Sequence, residues 1–175
     1  GSQGWGHGHG IEVLLSHNNT FANNAISYAR NQGVVAIETS DNNFTGNLIS
    51  SNDKGIILRS SARNWVYHNS VIENWNQQGY DDTGENFWDG DYPLGGNYWS
   101  DHAGIDNYRG LSQNEEGSDG ISDIPYSVDA DQDHYPLMKP YAGPQDIGIK
   151  ASVSKTVVAE GYNTTVTVNV TVINY

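Results

Sequence analysis

GIEVLLSHNNTFANNAIS at residues 10–27, GVVAIETSDNNFTGNLIS at 33–50 and GIILRSSARNWVYHNSVI at 55–72 are one unit written three times. The leading glycines, Gly10, Gly33 and Gly55, step by 23 and 22 residues. Inside each unit runs a second register, Asn-x-aromatic/Val-x-x-Asn-x-Ile/Val: Asn19, Phe21, Asn24, Ile26; then Asn42, Phe44, Asn47, Ile49; then Asn64, Val66, Asn69, Val71. A fourth, incomplete copy starts at Asn86 with Trp88 in the aromatic place. A fixed period of this size marks stacked units, none of which can bury its own apolar face. The units lack helical periodicity. Each reads as two short strands, IEVLL and the Asn-x-Phe stretch, separated by Asn, Ser and Gly turns. Coiling such units gives an all-β fold, a short parallel β-helix with rungs of about 22 residues. Its Ile and Phe stack inside, and its asparagines fall at turns, where they tolerate left-handed backbone and form ladders.

Composition limits the partners. Eight basic residues stand against 21 acidic ones, a net charge of -13. Such a surface repels phosphate backbones, which argues against nucleic acid. No apolar run reaches membrane-spanning length. The chain has no cysteine, so disulfides and thiolate metal sites are excluded. Asn-x-Ser/Thr acceptors at Asn18, Asn43, Asn163 and Asn169 suit a secreted glycoprotein. An extracellular or cell-surface location is therefore expected.

Residues 80–141 hold two of the five Trp, seven of the eleven Tyr and much of the Asp. An irregular aromatic and acidic cap over the open end of the solenoid is the simplest reading, with Trp88, Tyr98, Trp99, Tyr126 and Tyr135 as its rings. The sharper reading makes Trp88, Tyr98 and Trp99 a platform for pyranose rings. Closely spaced carboxylates suit a hard cation, so calcium is the cofactor to consider. Asp119 and Asp123 sit in a loop pattern that lacks acidic residues at its earlier positions, and Asp129, Asp131 and Asp133 form a second cluster. His7 and His9 in GWGHGHG, on a glycine-rich arm over residues 1–9 expected to be flexible, are a weak transition-metal pair.

The repeat resembles the NosD-like, carbohydrate-binding-and-sugar-hydrolase type of right-handed β-helix, over roughly residues 10–141. GGNYWSD at 95–101, DGISDIPY at 119–126 and DHYPLM at 133–138 resemble the blocks that close many archaeal surface proteins of this kind. The resemblance implies a right-handed coil, rungs over residues 10–79 and a cap over 80–141. Related β-helices include sugar lyases, hydrolases and epimerases. Catalysis needs opposed carboxylates or a base beside a carboxylate neutraliser. The best set on offer, Lys54, Arg59 and Arg63 on one rung, is thin, so a non-enzyme is expected.

Residues 142–175 form a tail of a different kind. After the linker KPYAGPQ, Val166, Val168, Val170 and Val172 alternate with polar residues as in a half-buried strand. The tail resembles the opening of an immunoglobulin-like adhesion module, which needs about seven strands. Its strand is expected to belong to a truncated module, to dock on the β-helix, or to add to another copy. The expected role is structural or adhesive, as part of an envelope, sheath or filament that self-associates or binds other envelope proteins. A carbohydrate-binding module or carbohydrate-active enzyme, with a polysaccharide as partner, is the alternative.

Overall fold

In the computed structural model, residues 8–142 are described, together with the backbone of two strands at 148–152 and 169–173. The contacts divide the chain into Gly1–Tyr141 and Ala142–Tyr175. The first unit is an all-β parallel solenoid of about three turns. Turn one carries β1 (Ile11–Leu14), β2 (Thr20–Ala22) and β3 (Ala25–Ser27). Turn two carries β4 (Gln32–Ile37), β5 (Asn43–Thr45) and β6 (Leu48–Ser50), and turn three β7 (Lys54–Arg59), β8 (Trp65–Tyr67) and β9 (Ser70–Ile72). A partial fourth turn adds β10 (Gln77–Asp81) and β11 (Tyr98–Trp99). Three parallel sheets result, ordered β1-β4-β7-β10, β2-β5-β8 and β3-β6-β9-β11.

Each turn therefore has three strands rather than the two expected from sequence. The second stretch bends in its middle, where Asn23, Gly46 and His68 take positive φ. The other corners behave alike: Leu15, Glu38 and Ser60, then Asn18, Asp41 and Arg63, then Tyr28, Ser51 and Glu73 all have φ near +50°. In the first three turns the left-handed residue stands immediately before the ladder asparagine and is not that asparagine. Most side chains pay a strain cost in this region, so stacking must over-determine the corners.

The repeat glycines have another cause. A Cβ on Gly33 would meet Asn52 Nδ2 and Ile49 Cγ2 at 2.7 Å, and one on Gly55 would meet the Gln78 carbonyl at 2.1 Å. These positions pack too closely for any side chain, Gly33 against Ile49 of its own turn and Gly55 against the next turn.

Inside, Phe21, Phe44, Val66 and Trp88 form one column, and Ile26, Ile49, Val71 and Trp99 another. Beside them run three amide ladders. In the first, Asn19 Nδ2 donates to Asn42 Oδ1 at 3.0 Å, Asn42 to Asn64 at 2.9 Å, and Asn64 to Asn86 at 2.9 Å. The second runs Asn24, Asn47, Asn69, Asn97, with steps of 3.0, 2.9 and 2.9 Å. The third joins the Ala29 backbone N–H to Asn52, then Asn74. Apart from Asn52, which accepts only from Ala29, each ladder Oδ1 takes the backbone and side-chain N–H of the asparagine one turn earlier, as Asn69 does from Asn47. The second amide proton goes to a carbonyl of the preceding turn, as from Asn69 to Phe44. All four bonds of the amide are thus used.

The cap over residues 100–141 carries two short antiparallel pairs, β12 (Tyr108–Arg109) with β13 (Glu115–Glu116) and β14 (Tyr126–Ser127) with β15 (Gln132–Asp133). In the second unit, β16 (Gly148–Ser152) pairs antiparallel with β17 (Asn169–Ile173), placing Val172 opposite Ile149 and Val170 opposite Ala151. The tail strand thus finds a partner within its own chain. Val166 and Val168 lie outside the described residues.

Replacing Asn69 by Ala leaves Asn47 two donors short of an acceptor and Phe44 without its donor. A loss of about 3 kcal/mol is expected in urea unfolding. Asn19→Ala, on the exposed first turn, should cost under about 1 kcal/mol. Equal losses at the two positions would contradict the ladder description.

Candidate functional site

The ladders all point one way, donors toward the C-terminal turn, so each needs a terminal acceptor. The first ends on Asp81, whose Oδ2 accepts from Asn86 Nδ2 at 2.9 Å and from the Trp88 indole at 3.0 Å. The second ends on Asp133, whose Oδ2 accepts the Asn97 backbone N–H at 2.7 Å and the Trp99 indole at 2.9 Å. The third ends on Gln78, which occupies the repeat-glycine position of the fourth turn and accepts from Asn74 at 2.8 Å. Asp81 and Asp133 are fully buried. Burial pushes the Asp133 carboxyl up to about 7, against the donors that favour its ionised form.

This arrangement corrects the sugar platform expected at Trp88 and Trp99. Both indoles are only 1% exposed, close the two apolar columns and lie 5.9 Å apart. Neither offers a face to a ligand. Tyr98 is half-buried on β11. Trp99 is further covered by Tyr126, stacked at 4.3 Å. Burial, reinforced by Asp101, raises the Tyr126 phenol.

The aspartates expected to gather around calcium serve separate ends. The Asp123 carboxylate accepts the backbone N–H groups of Asn107 and Tyr108. Asp119 accepts from Ile121 N and Gln113 Nε2. Asp129 sits at a positive-φ corner. Asp133 is spent on the ladder end, with its other oxygen on Tyr135 N. Asp131 lines a cleft described below. Among the described residues no group of three or more His, Cys, Asp or Glu side chains is placed to hold a metal ion. On the basic rung, Arg63 makes a two-pronged bond to Asp41, and Arg59 lies over the Tyr80 ring. That bond holds the Asp41 carboxyl below its usual range.

The exposed aromatic surface lies elsewhere. On β5 and β8, residues alternate inward and outward, so the neighbours of the buried Phe44, Val66 and Trp88 form an outer column of Asn43, Trp65 and Phe87. Trp65 and Phe87 are 40% and 43% exposed and stack at 4.4 Å with 27° between their planes. Tyr67 meets Trp65 edge-on at 6.5 Å. Two clefts adjoin this shelf and share Trp65 and Asp91. One, of about 220 Å³, adds Phe87, Asp89, Asp131, Gln132 and His134. The other, of about 400 Å³, adds Asn43, Tyr67, Gly90 and Leu94.

The nearly buried Asp89 organises the groove wall. Its Oδ2 accepts the His134 backbone N–H at 2.9 Å and faces the His134 ring nitrogen at 3.0 Å, and its Oδ1 accepts Asp91 N. Asp131 is partly buried, and that burial raises its carboxyl. Asn43 Oδ1 is buried beside the shelf with no protein partner. Sequence reasoning missed Trp65 and Phe87. The outward parity of the Trp65 position within the repeat was the available signal. Of the sequon asparagines, Asn18 is exposed at a corner, Asn43 lines the groove, Asn169 begins β17, and Asn163 lies outside the described residues.

A parallel β-helix with an outward aromatic groove is the class of protein that these features define. Residues 2–104 match the family model described as periplasmic copper-binding protein (NosD), and the chain belongs to that family of right-handed β-helix proteins. No curated protein and no solved structure matches it. The family's description places the chain, in a coarse sense, in the periplasm or at the cell surface. Its copper is not matched by the donors described. His17 binds Ser40, His68 the Leu94 carbonyl, His102 Ser122 and His134 Asp89, so these imidazoles are dispersed. His7 lies outside the described residues.

The raised Asp133 carboxyl has a definite sign. Stability from this group is fully present below the ordinary carboxylate value of 3.8 and is lost as pH rises through about 7. The melting-temperature difference between the wild type and Asp133→Asn should therefore shift against the wild type between about pH 4 and 7. A pH-independent difference would contradict the assignment.

Proposed function

We propose that this chain is an adhesive β-helix module of the periplasm or cell surface, and that it holds a polysaccharide along the groove beside Trp65. The Trp65–Phe87 stack carries the proposal. It is a flat apolar shelf of two stacked rings, each about two fifths open to solvent. Exposed apolar surface rimmed by polar groups is the usual mark of a ligand groove. Rings stacked from turn to turn make a ribbon along the solenoid axis, which suits an extended chain of pyranoses. The net charge of -13 disfavours uronic-acid polymers.

Binding fits the groove better than catalysis. Its most buried carboxylate, Asp89, is committed to fixing His134 and the Asp91 backbone. Self-assembly through the tail, the other route to an adhesive role, has less support, because β17 already has one edge taken by β16.

Affinity electrophoresis against a panel of neutral and amino polysaccharides tests the proposal. The wild type should be retarded by at least one of them, and Trp65→Ala should weaken that binding by about tenfold or more while melting close to the wild type. Trp99→Ala should instead lose about 3–5 kcal/mol of stability. A panel without any retardation, or undiminished binding by folded Trp65→Ala, would overturn the reading.

A further inference from the structure

We infer that the groove selects polysaccharides carrying protonated amino groups, of the glucosamine type, over their neutral or N-acetylated counterparts. The inference rests on the glycan reading above and names the substrate class of that site. Two independent features of the wall favour a cation. The first is the π face of Trp65, stacked with Phe87 and open to solvent. An ammonium over such a face is attracted by the ring quadrupole, most strongly for Trp. The second is a wall in which acceptors predominate. Asp91 and Asp131 both border the cleft that Trp65 lines. Asn43, on the adjoining cleft, adds an amide whose Oδ1 meets no protein donor.

The groups that could neutralise this wall are few. Neither cleft is lined by a lysine or an arginine. The one basic side chain present, His134, is held against Asp89, so its charge when protonated is offset by that carboxylate. The indole N–H of Trp88, which also lines the smaller cleft, is taken by Asp81. An N-acetyl group would remove the positive charge and place a methyl and a carbonyl against carboxylates. A free amine would face them with three donors.

Isothermal titration at about pH 6, where the sugar amines are protonated, with matched hexamers of glucosamine, N-acetylglucosamine and glucose separates the outcomes. The glucosamine hexamer should bind at least about tenfold more tightly than the other two. The double variant Asp91→Asn/Asp131→Asn should lose that preference while keeping the residual, charge-independent binding to the shelf. Because this variant removes only two of the chain's 21 acidic residues, loss of preference assigns the effect to the groove rather than to net charge. Equal binding of the three hexamers would overturn the amino-sugar inference and leave the glycan reading standing. An unchanged glucosamine preference in the double variant would overturn it too, by assigning the preference to the whole surface. Binding of none would overturn both.

Discussion

The hydrogen bond from one asparagine amide to the next, turn upon turn, is the interaction on which the remaining structure depends. A parallel solenoid must carry its backbone around tight corners, and every corner strands peptide groups that the sheets cannot pair. An asparagine placed just inside three of the four corners of a turn meets these needs with one side chain: it accepts from the turn before it and donates to the turn after it. Buried amides of this kind are costly when left half-satisfied, so a ladder is stable only if it is complete. Completeness explains why the fourth turn departs from the repeat. The last amide of each ladder must donate to a group that demands no further turn. Asp81, Asp133 and Gln78 are such groups.

The same requirement explains the tryptophans. Each terminal carboxylate is fully buried and needs more than one donor, and an indole from the adjoining apolar column supplies it. Trp88 and Trp99 are therefore both the last layer of the core and the partners of the ladder ends. The inward positions are fixed by stacking and the outward ones are not. The outer face of β5 and β8 can therefore carry Asn43, Trp65 and Phe87 without cost to the coil, and the loop held by Asp89 brings Asp91 and His134 beside them. The scaffold and the candidate site occupy alternate residues of the same strands.

The coil was legible in the sequence because a repeat states its contacts several times: Phe44 under Phe21 and Asn47 under Asn24 follow from alignment alone. The third strand per turn was not, because residues in the left-handed region at a corner are as varied as Leu15, His68 and Glu73 and leave no compositional mark. The end of the solenoid was misread for a related reason. Asn97 and Trp99 complete the fourth turn, but extra residues within 89–96 put Asn97 28 residues after Asn69, which hides the period. Trp99 then read as part of the cap rather than as the last core position of the repeat. The groove was hidden because its wall joins Trp65 of the third turn to Asp131 and His134 of the cap, and no spacing rule links such distant positions.

The most direct test of the account is side-chain amide hydrogen exchange measured by NMR on the intact chain. The account expects the Nδ2 protons of Asn42, Asn47, Asn52, Asn64, Asn69 and Asn74, with the indole protons of Trp88 and Trp99, to be the slowest side-chain protons in the molecule. Those of the corner residues Asn18 and Asn23, and the indole of the exposed Trp75, should exchange at rates near those of free amides and indoles. Uniformly fast exchange across these groups would contradict the claim that continuous, carboxylate-ended amide ladders hold the coil together.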